Sequence, residues 1–414
     1  MIGAKSVINC AETAGWEPRY AARAERMRAS EIRELLKLLD RPGVISFAGG
    51  IPNPALFPVA EARAAYASVL ADPVTAGSGL QYSPSEGYLP LRQWIVQHMS
   101  SLGVPCDEDN IVITSGSQQA LEFLGRLLLS PGDTALVTAP TYLGALQAFS
   151  TYEPRYDELR PEQGNRTPAS YADAAGDAGG DVKFAYVVPS FANPTGETLS
   201  PAARERLLDL SAELDVPIIE DAAYAMLRFE GEAQPAIQAM EIARCGSIER
   251  ARTVYCGTFS KVMSPGLRVG WIVAAKPLIR RLVLVKQASD LNSATINQMV
   301  MHSMVESAFD SQVERACARY RRLRDAMLAA LARHMPSGVT WTHPRGGLFT
   351  WVRLPEGRDG AELLERSLAE AGVAFVPGAA FFFDGRGRNT LRLSYSLASE
   401  QEIDRGIMGL AGLI

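Results

Sequence analysis

Between about residue 46 and residue 295, short apolar runs alternate with longer helical patterns, and this alternation constrains the fold more than any other feature. The runs are Ile111–Thr114, Ala135–Thr138, Phe184–Val188, Pro217–Glu220, Thr253–Gly257 and Val269–Val273. Most are nearly continuous in apolar residues, as strands buried on both faces must be. Helical segments such as Gln118–Leu129, Pro201–Leu214 and Pro277–Ala288 lie between them. Strand–helix alternation predicts an α/β unit with a mostly parallel sheet. Such sheets bind ligands beyond the carboxyl ends of their strands, so the residues just after each run are where chemistry belongs.

The flanks read differently. Residues up to about 28 form an arm, after which Ser30 caps a helix, EIRELLKLLD, with Ile32, Leu35, Leu36 and Leu39 at helical spacing. Arg41-Pro42-Gly43 ends it. Beyond the α/β stretch, a long helix over Asn297–Ala332 precedes separated strands at Leu348–Leu354, Ala374–Val376 and Thr390–Tyr395. The expected division is an arm and helix over 1–45 that pack with the small domain, a large domain over 46–295, and a smaller α+β domain over 296–414. Tyr171–Asp181 (YADAAGDAGGD) reads as a surface loop or short helix end.

Composition excludes several classes. The formal charge of −5 over 414 residues is wrong for a nucleic-acid or anionic-membrane partner. The five cysteines form no CxxC pair, which disfavours a disulfide framework or zinc site and leads us to expect a reducing cytoplasm. The N-terminus has no apolar h-region, no run is long enough to cross a bilayer, and no GxGxxG turn marks a dinucleotide site.

Candidate chemistry follows the strand ends. After Thr253–Gly257 come Thr258-Phe259-Ser260-Lys261 and then Arg268: hydroxyls and a guanidinium for a phosphate, beside an amine that can form an imine. Alone, Lys261 reads equally as a solvated lysine. Thr114-Ser115-Gly116-Ser117-Gln118 opens a helix after the first run, an anion site or an ordinary capped turn. Asp221 ends its strand with Tyr224 three residues on; a buried carboxylate there can hold a pyridine nitrogen protonated, or merely cap a helix. Asn193-Pro194-Thr195-Gly196 is a turn, or a donor to a phenolic oxygen. Tyr142 is a stacking ring or packing. Arg392 alternates with leucines in Thr390–Tyr395 and points to solvent or into a pocket, where its planar fork suits an α-carboxylate.

The joint order of these signals resembles the fold-type I, class I/II aminotransferases, which depend on pyridoxal 5′-phosphate. The likeness is greatest to the 2-aminoadipate and multi-substrate aromatic or branched-chain group. It runs from about Arg28 to the C-terminus, on strings such as ISFAGGIPNPALFP, LQYSPSEGYLPLR, TSGSQQAL, PSFANPTG, IEDAAY, GTFSKVMSPGLRVGW, PRGGLFTWV and NTLRLSYS. The resemblance implies an aspartate aminotransferase-like fold with Lys261 as Schiff-base lysine and proton shuttle. Asp221 would pair with the pyridine nitrogen, Asn193 and Tyr224 with the phenolic oxygen, and Tyr142 would stack on the ring. Ser117, Gln118, Ser260 and Arg268, with Thr258, would bind phosphate. Arg392, Asn193 and Gly50 would hold the substrate α-carboxylate. Tyr82 would reach the neighbouring subunit's phosphate site, implying a homodimer with shared active sites. Arg33 matches an arginine that reads a distal carboxylate, though IRELLKL is generic helical sequence.

The implied activity is ping-pong transfer of an amino group from an α-amino acid to a 2-oxo acid such as 2-oxoglutarate, within amino-acid metabolism and biosynthesis. Ala192, Asn292 and Ala222 depart from the commonest residues and bear on the substrate. Two alternatives stand beside this reading. One keeps the cofactor for elimination, cyclisation or oxidation in specialised metabolism. The remoter one is a non-catalytic sensing domain, for which the stretch ahead of residue 28 is too short to be a winged helix.

Overall fold

The computed structural model describes residues 15–26 and 43–414. The expected helix EIRELLKLLD, with its cap Ser30 and Arg33, lies outside the described residues.

A short strand β1 (Ile45–Ser46) comes first. Seven strands then build the central sheet: β2 (Ile111–Thr114), β3 (Thr134–Thr138), β4 (Arg155–Leu159), β5 (Val182–Val187), β6 (Ile218–Asp221), β7 (Val254–Thr258) and β8 (Gly270–Val273). Their spatial order is β2-β8-β7-β6-β5-β3-β4, with β8 antiparallel to both neighbours and the other pairs parallel. The sheet is buried on both faces because its strands are apolar at successive positions. Ala135, Val137, Phe184, Tyr186 and Ile219 face one core, while Leu136, Ala185, Val187 and Ile218 face another shared with Leu207 and Leu208. Burying one such aliphatic side chain contributes about 1.5–3 kcal/mol.

Two elements correct the sequence reading. β4 went unexpected because its sequence, RYDEL, is polar. It sits at the sheet edge, pairs with β3 alone, and buries only Leu159, so charge there guards an exposed edge. Residues 168–177 form a full helix, where 171–181 reads from sequence as a loop or a short helix end. Thr167 Oγ1 accepts the Ser170 N–H, and Pro168 occupies the first turn. Tyr171 and Ala175, one turn apart, turn inward.

A 40-residue helix, Thr295–His334, leads out of the central sheet. The remaining strands are β9 (Thr340–Trp341), β10 (Phe349–Arg353), β11 (Val373–Ala374), β12 (Val376–Pro377) and β13 (Thr390–Ser394). Four of them make an antiparallel sheet in the order β12-β13-β10-β9, and β11 pairs parallel with β1. The expected run Ala374–Val376 is thus two short strands split at Phe375, each in a different sheet. The Phe47 N–H donates to Ala374 O at 2.7 Å, and Phe47 O accepts the Ser394 N–H at 2.8 Å. This return of the chain lays Ala48 and Gly50 beside β13. Among the described residues no helix is long and apolar enough to cross a membrane.

Candidate active site

At the carboxyl ends of β2, β5, β6 and β7 the sheet opens into a cavity of about 120 Å³. Lys261, Thr258 and Ser260 reach it from the turn after β7, Asp221 from the end of β6, and Ser117 and Gln118 from the first turn of the helix Ser117–Leu128. Tyr142, Tyr224 and Arg268 complete the wall.

Asp221 is buried, with Tyr186 Oη donating at 2.9 Å and the Ala223 N–H at 3.2 Å. Both donors are neutral. Burial raises the carboxyl to about 6, against the bonds from Tyr186 and Ala223 and the nearby Lys261. Among the described residues it forms no ion pair. Burial also brings the Lys261 ammonium down to about 8, opposed by Asp221 and reinforced by Arg392 and Arg268. Lys261 Nζ lies 5.5 Å from the centre of the Tyr224 ring. An amine tuned in this way is a usable nucleophile and base near neutral pH.

The other end of the cavity is built for an anion. Gly116 caps the helix with φ +81° and no capping side chain, leaving the first helical N–H groups free to point at a ligand. A Cβ on Gly116 would collide with Arg268 Nη2, so only glycine lets the guanidinium lie against the turn. Arg268 donates to Ser115 O at 2.8 Å and itself has φ +55°. Thr258 Oγ1 and Ser260 Oγ are 2.9 Å apart, and Tyr142 Oη donates to Gln118 Oε1 at 3.3 Å.

Arg392 reaches the same region from the small sheet. It is 1% exposed, with Nη1 donating to Asn193 Oδ1 at 2.9 Å and Nη2 to Ala48 O at 2.6 Å. Among the described residues its buried Nε has no partner. The guanidinium lies 4.3 Å from the Phe349 ring centre and 5.1 Å from that of Phe381, and burial draws its pKa down to about 10. Gly50 is close as well: a Cβ there would meet Phe349 Cζ at 2.5 Å and Arg392 Nη1 at 3.8 Å. Asn193 hydrogen-bonds Tyr224 on its other side.

Most of the expected residues are therefore brought together. Tyr82 is not: it is 78% exposed and does not line the cavity. Sequence reading missed Tyr186, hidden inside an apolar strand, and the aromatic pair Phe349 and Phe381. Only the parallel register of Tyr186 with Ile219, two residues before Asp221, reveals the first, and that register is not in the sequence. A second cavity, about 310 Å³, is lined by Phe191, Glu197, Arg228, His343 and Arg345 and holds none of the reactive residues.

A family model described as aminotransferase class I and II matches residues 44–410. The chain belongs to that family. The aromatic-amino-acid aminotransferase 1 of Thermococcus litoralis is 41% identical to this aminotransferase, covering 98% of this chain and 96% of its own. The 2-aminoadipate transaminase of Thermus thermophilus is 42% identical, covering 95% and 96%. The crystal structure of the α-aminoadipate aminotransferase LysN from Thermus thermophilus, complexed with N-(5′-phosphopyridoxyl)-L-leucine, superposes with a TM-score of 0.86 at 38% identity, covering 96% of this chain and 98% of the other. The protein is a transferase with an aspartate aminotransferase-like fold, and its cofactor is pyridoxal 5′-phosphate.

Proposed function

We propose that this aminotransferase takes its amino group from a 2-aminoadipate-, aromatic-, arylglycine- or branched-chain-like α-amino acid and passes it to 2-oxoglutarate or a similar oxo acid. The observation that carries this reading is a pair of buried charges in one region: among the described residues Asp221, lining the cavity, forms no ion pair, and Arg392, linked to the cavity wall through Asn193 and Tyr224, meets no carboxylate. A buried charge of either sign calls for an opposite partner. A ligand with a basic ring nitrogen at one end and a carboxylate at the other supplies both, so the residues fit the cofactor with its substrate. The donor range rests on the relatives, whose names refer to aromatic amino acids and 2-aminoadipate.

In this reading Asp221 holds the ring nitrogen protonated, and Asn193 and Tyr224 bond the phenolic oxygen. Tyr142 stacks on the ring. Ser117, Gln118, Thr258, Ser260 and Arg268 hold the phosphate. When bound, the cofactor supplies an aldehyde for amine exchange and an electron-poor ring that accepts the electron pair left by the departing α-proton. Arg392 and Asn193 hold the substrate α-carboxylate, helped by the close backbone approach of Gly50. Lys261 Nζ, released as a neutral amine, takes the α-proton and later returns it. The first oxo acid leaves before the second binds, which is ping-pong kinetics.

The exposed ring of Tyr82 suits a contact across a homodimer, where it would complete the partner's phosphate site. Arg33, outside the described residues, would read a distal carboxylate. The large domain over 46–295 and small domain over 296–414 would meet at this pocket, and the enzyme would act in cytoplasmic amino-acid biosynthesis. The test is a half-reaction: mix holoenzyme with single amino acids, without oxo acid, and follow the cofactor absorbance. Conversion to the amine form by a few donors, with one equivalent of oxo acid, is the expected result. An unchanged spectrum across the whole panel overturns it.

A further inference from the structure

Lys286 is the last full-length cation of the helix Lys276–Gln287, and its side chain is 0% exposed. Its Nζ donates to Asp290 Oδ1 at 3.0 Å and Oδ2 at 3.1 Å, to Ser293 Oγ at 2.9 Å and to Gln119 Oε1 at 3.3 Å. Its carbonyl accepts the N–H groups of Ser289, Asp290 and Leu291, each at 3.0 Å. One residue thus folds the whole 289–293 turn about itself. Burial lowers its ammonium pKa, opposed by Asp290.

The turn is tied directly to the anion end of the active site. Asp290 Oδ2 accepts Gln119 Nε2 at 2.8 Å, and Gln119 Oε1 accepts the Ser115 N–H at 2.8 Å. The two ends of that amide are therefore told apart, because Lys286 and Asp290 fix which way it faces. Ser115 Oγ adds a contact to Ser293 Oγ at 3.3 Å. On its other side Ser115 offers its carbonyl to Arg268, and the next residues are Gly116 and the helix-opening Ser117. None of Lys286, Asp290, Gln119 or Ser293 lines the cavity.

Lys286 is buried but Asp290 is open to solvent on one side, and an ion pair so screened adds little net stability, so what it contributes here is geometry. An apolar side chain at 286 would fill the space but take from Asp290, Ser293 and Gln119 the ammonium that holds them together, so that Ser115 is held by a looser network. We propose that Lys286 and Asp290 are positioning residues that clamp the phosphate cradle. Through Gln119 they fix the Ser115–Ser117 turn, the helix N–H groups it presents, and the rest position of Arg268. The proposal depends on the reading of Ser117 and Arg268 as phosphate ligands. It adds that the cradle is set before the anion arrives, by residues that never touch it.

The test compares two ligands of the apo full-length chain: pyridoxal phosphate, and pyridoxal, which lacks the phosphate. Dissociation constants come from absorbance titration. K286M is expected to weaken pyridoxal phosphate by about 10- to 100-fold while pyridoxal stays within about twofold, as losses of outer partners do at other preorganised sites. Q119A, which keeps the ion pair and cuts only the bridge, should shift the same ratio in the same direction. A merely structural role would lower melting temperature and weaken both ligands alike. If K286M does not fold, Q119A decides. An unchanged ratio in the folded variants overturns the clamp, provided that R268A shifts it. If R268A leaves the ratio unchanged too, the phosphate reading itself falls, and the clamp with it.

Discussion

Asp221 and Arg392 are both buried charges near the Lys261 cavity, yet the two sheets hold them in opposite ways. Asp221 ends a parallel strand and is cradled by two neutral donors, the Tyr186 hydroxyl and the Ala223 N–H. Arg392 sits inside an antiparallel strand and is steadied by two acceptors, Asn193 Oδ1 and Ala48 O, with Nε left over. Burial pushes both toward their neutral forms, the acid up to about 6 and the guanidinium down to about 10. What differs is the missing partner. Asp221 would be answered by a cation and Arg392 by an anion, so in the proposed reading the two together set a ligand's direction. Lys261 feels both.

Substitutions at the two ends should therefore fail differently. The largest effect belongs to the group that feels both: Lys261→Ala is expected to lower single-turnover amino transfer by about 10⁴-fold, and a rate near wild type would move the chemistry elsewhere. Next, Arg392→Gln should cut kcat/KM for the donor by about 10²- to 10³-fold with cofactor content unchanged, since the carboxylate then lacks its buried partner. Loss of cofactor in this variant would blur the distinction between the two ends.

Asp221→Asn should act on the cofactor end instead, lowering kcat by about 10²-fold with a smaller change in donor KM. It also carries a stability signature. The folded carboxyl keeps its proton up to about 6, whereas the ordinary value is 3.8. Between those values the folded chain binds a proton that the unfolded chain has lost, so the contribution of Asp221 to stability falls as pH rises through that window. In the apo-protein, Asp221→Asn should therefore raise the melting temperature at pH 7, by about 2 °C, and remove that pH dependence. A fall in melting temperature would mean that the carboxylate is already balanced.

The smallest effect is at Tyr186→Phe, which removes one hydrogen bond to the charged form and should reduce kcat by about tenfold or less. Because that bond lowers the Asp221 pKa, its loss should move the acid limb of the rate profile to higher pH. An unmoved limb would take Tyr186 out of the cofactor end.

Much of this site was legible before any fold was known. Lys261, Asp221, Ser117 and Asn193 follow apolar runs, and a strand buried on both faces advertises its own end. Tyr186 was not legible, because inside such a run it looks like core. The edge strand Arg155–Leu159 was missed for the opposite reason, since an edge carries polar sequence, and the helix Pro168–Asp177 stays open, in sequence alone, between a loop and a helix end. Lys286 is one cation among several in its helix, and Gln119, Asp290 and Ser293 gather round it only when the helices opening at Ser117 and ending at Gln287 lie side by side.

By itself, then, the sequence determined the alternation of buried strands and helices, and with it the ends where reactive groups stand, because periodicity and turn chemistry act over a few residues. Only the tertiary structure decided which charges go unanswered. Thr390–Ser394 alternates evenly and could turn Arg392 to either face. Phe349, Phe381 and the returning backbone at Ala48 closed over one of them. Whether a charge is buried depends on what packs against it from far along the chain, and no local pattern contains that.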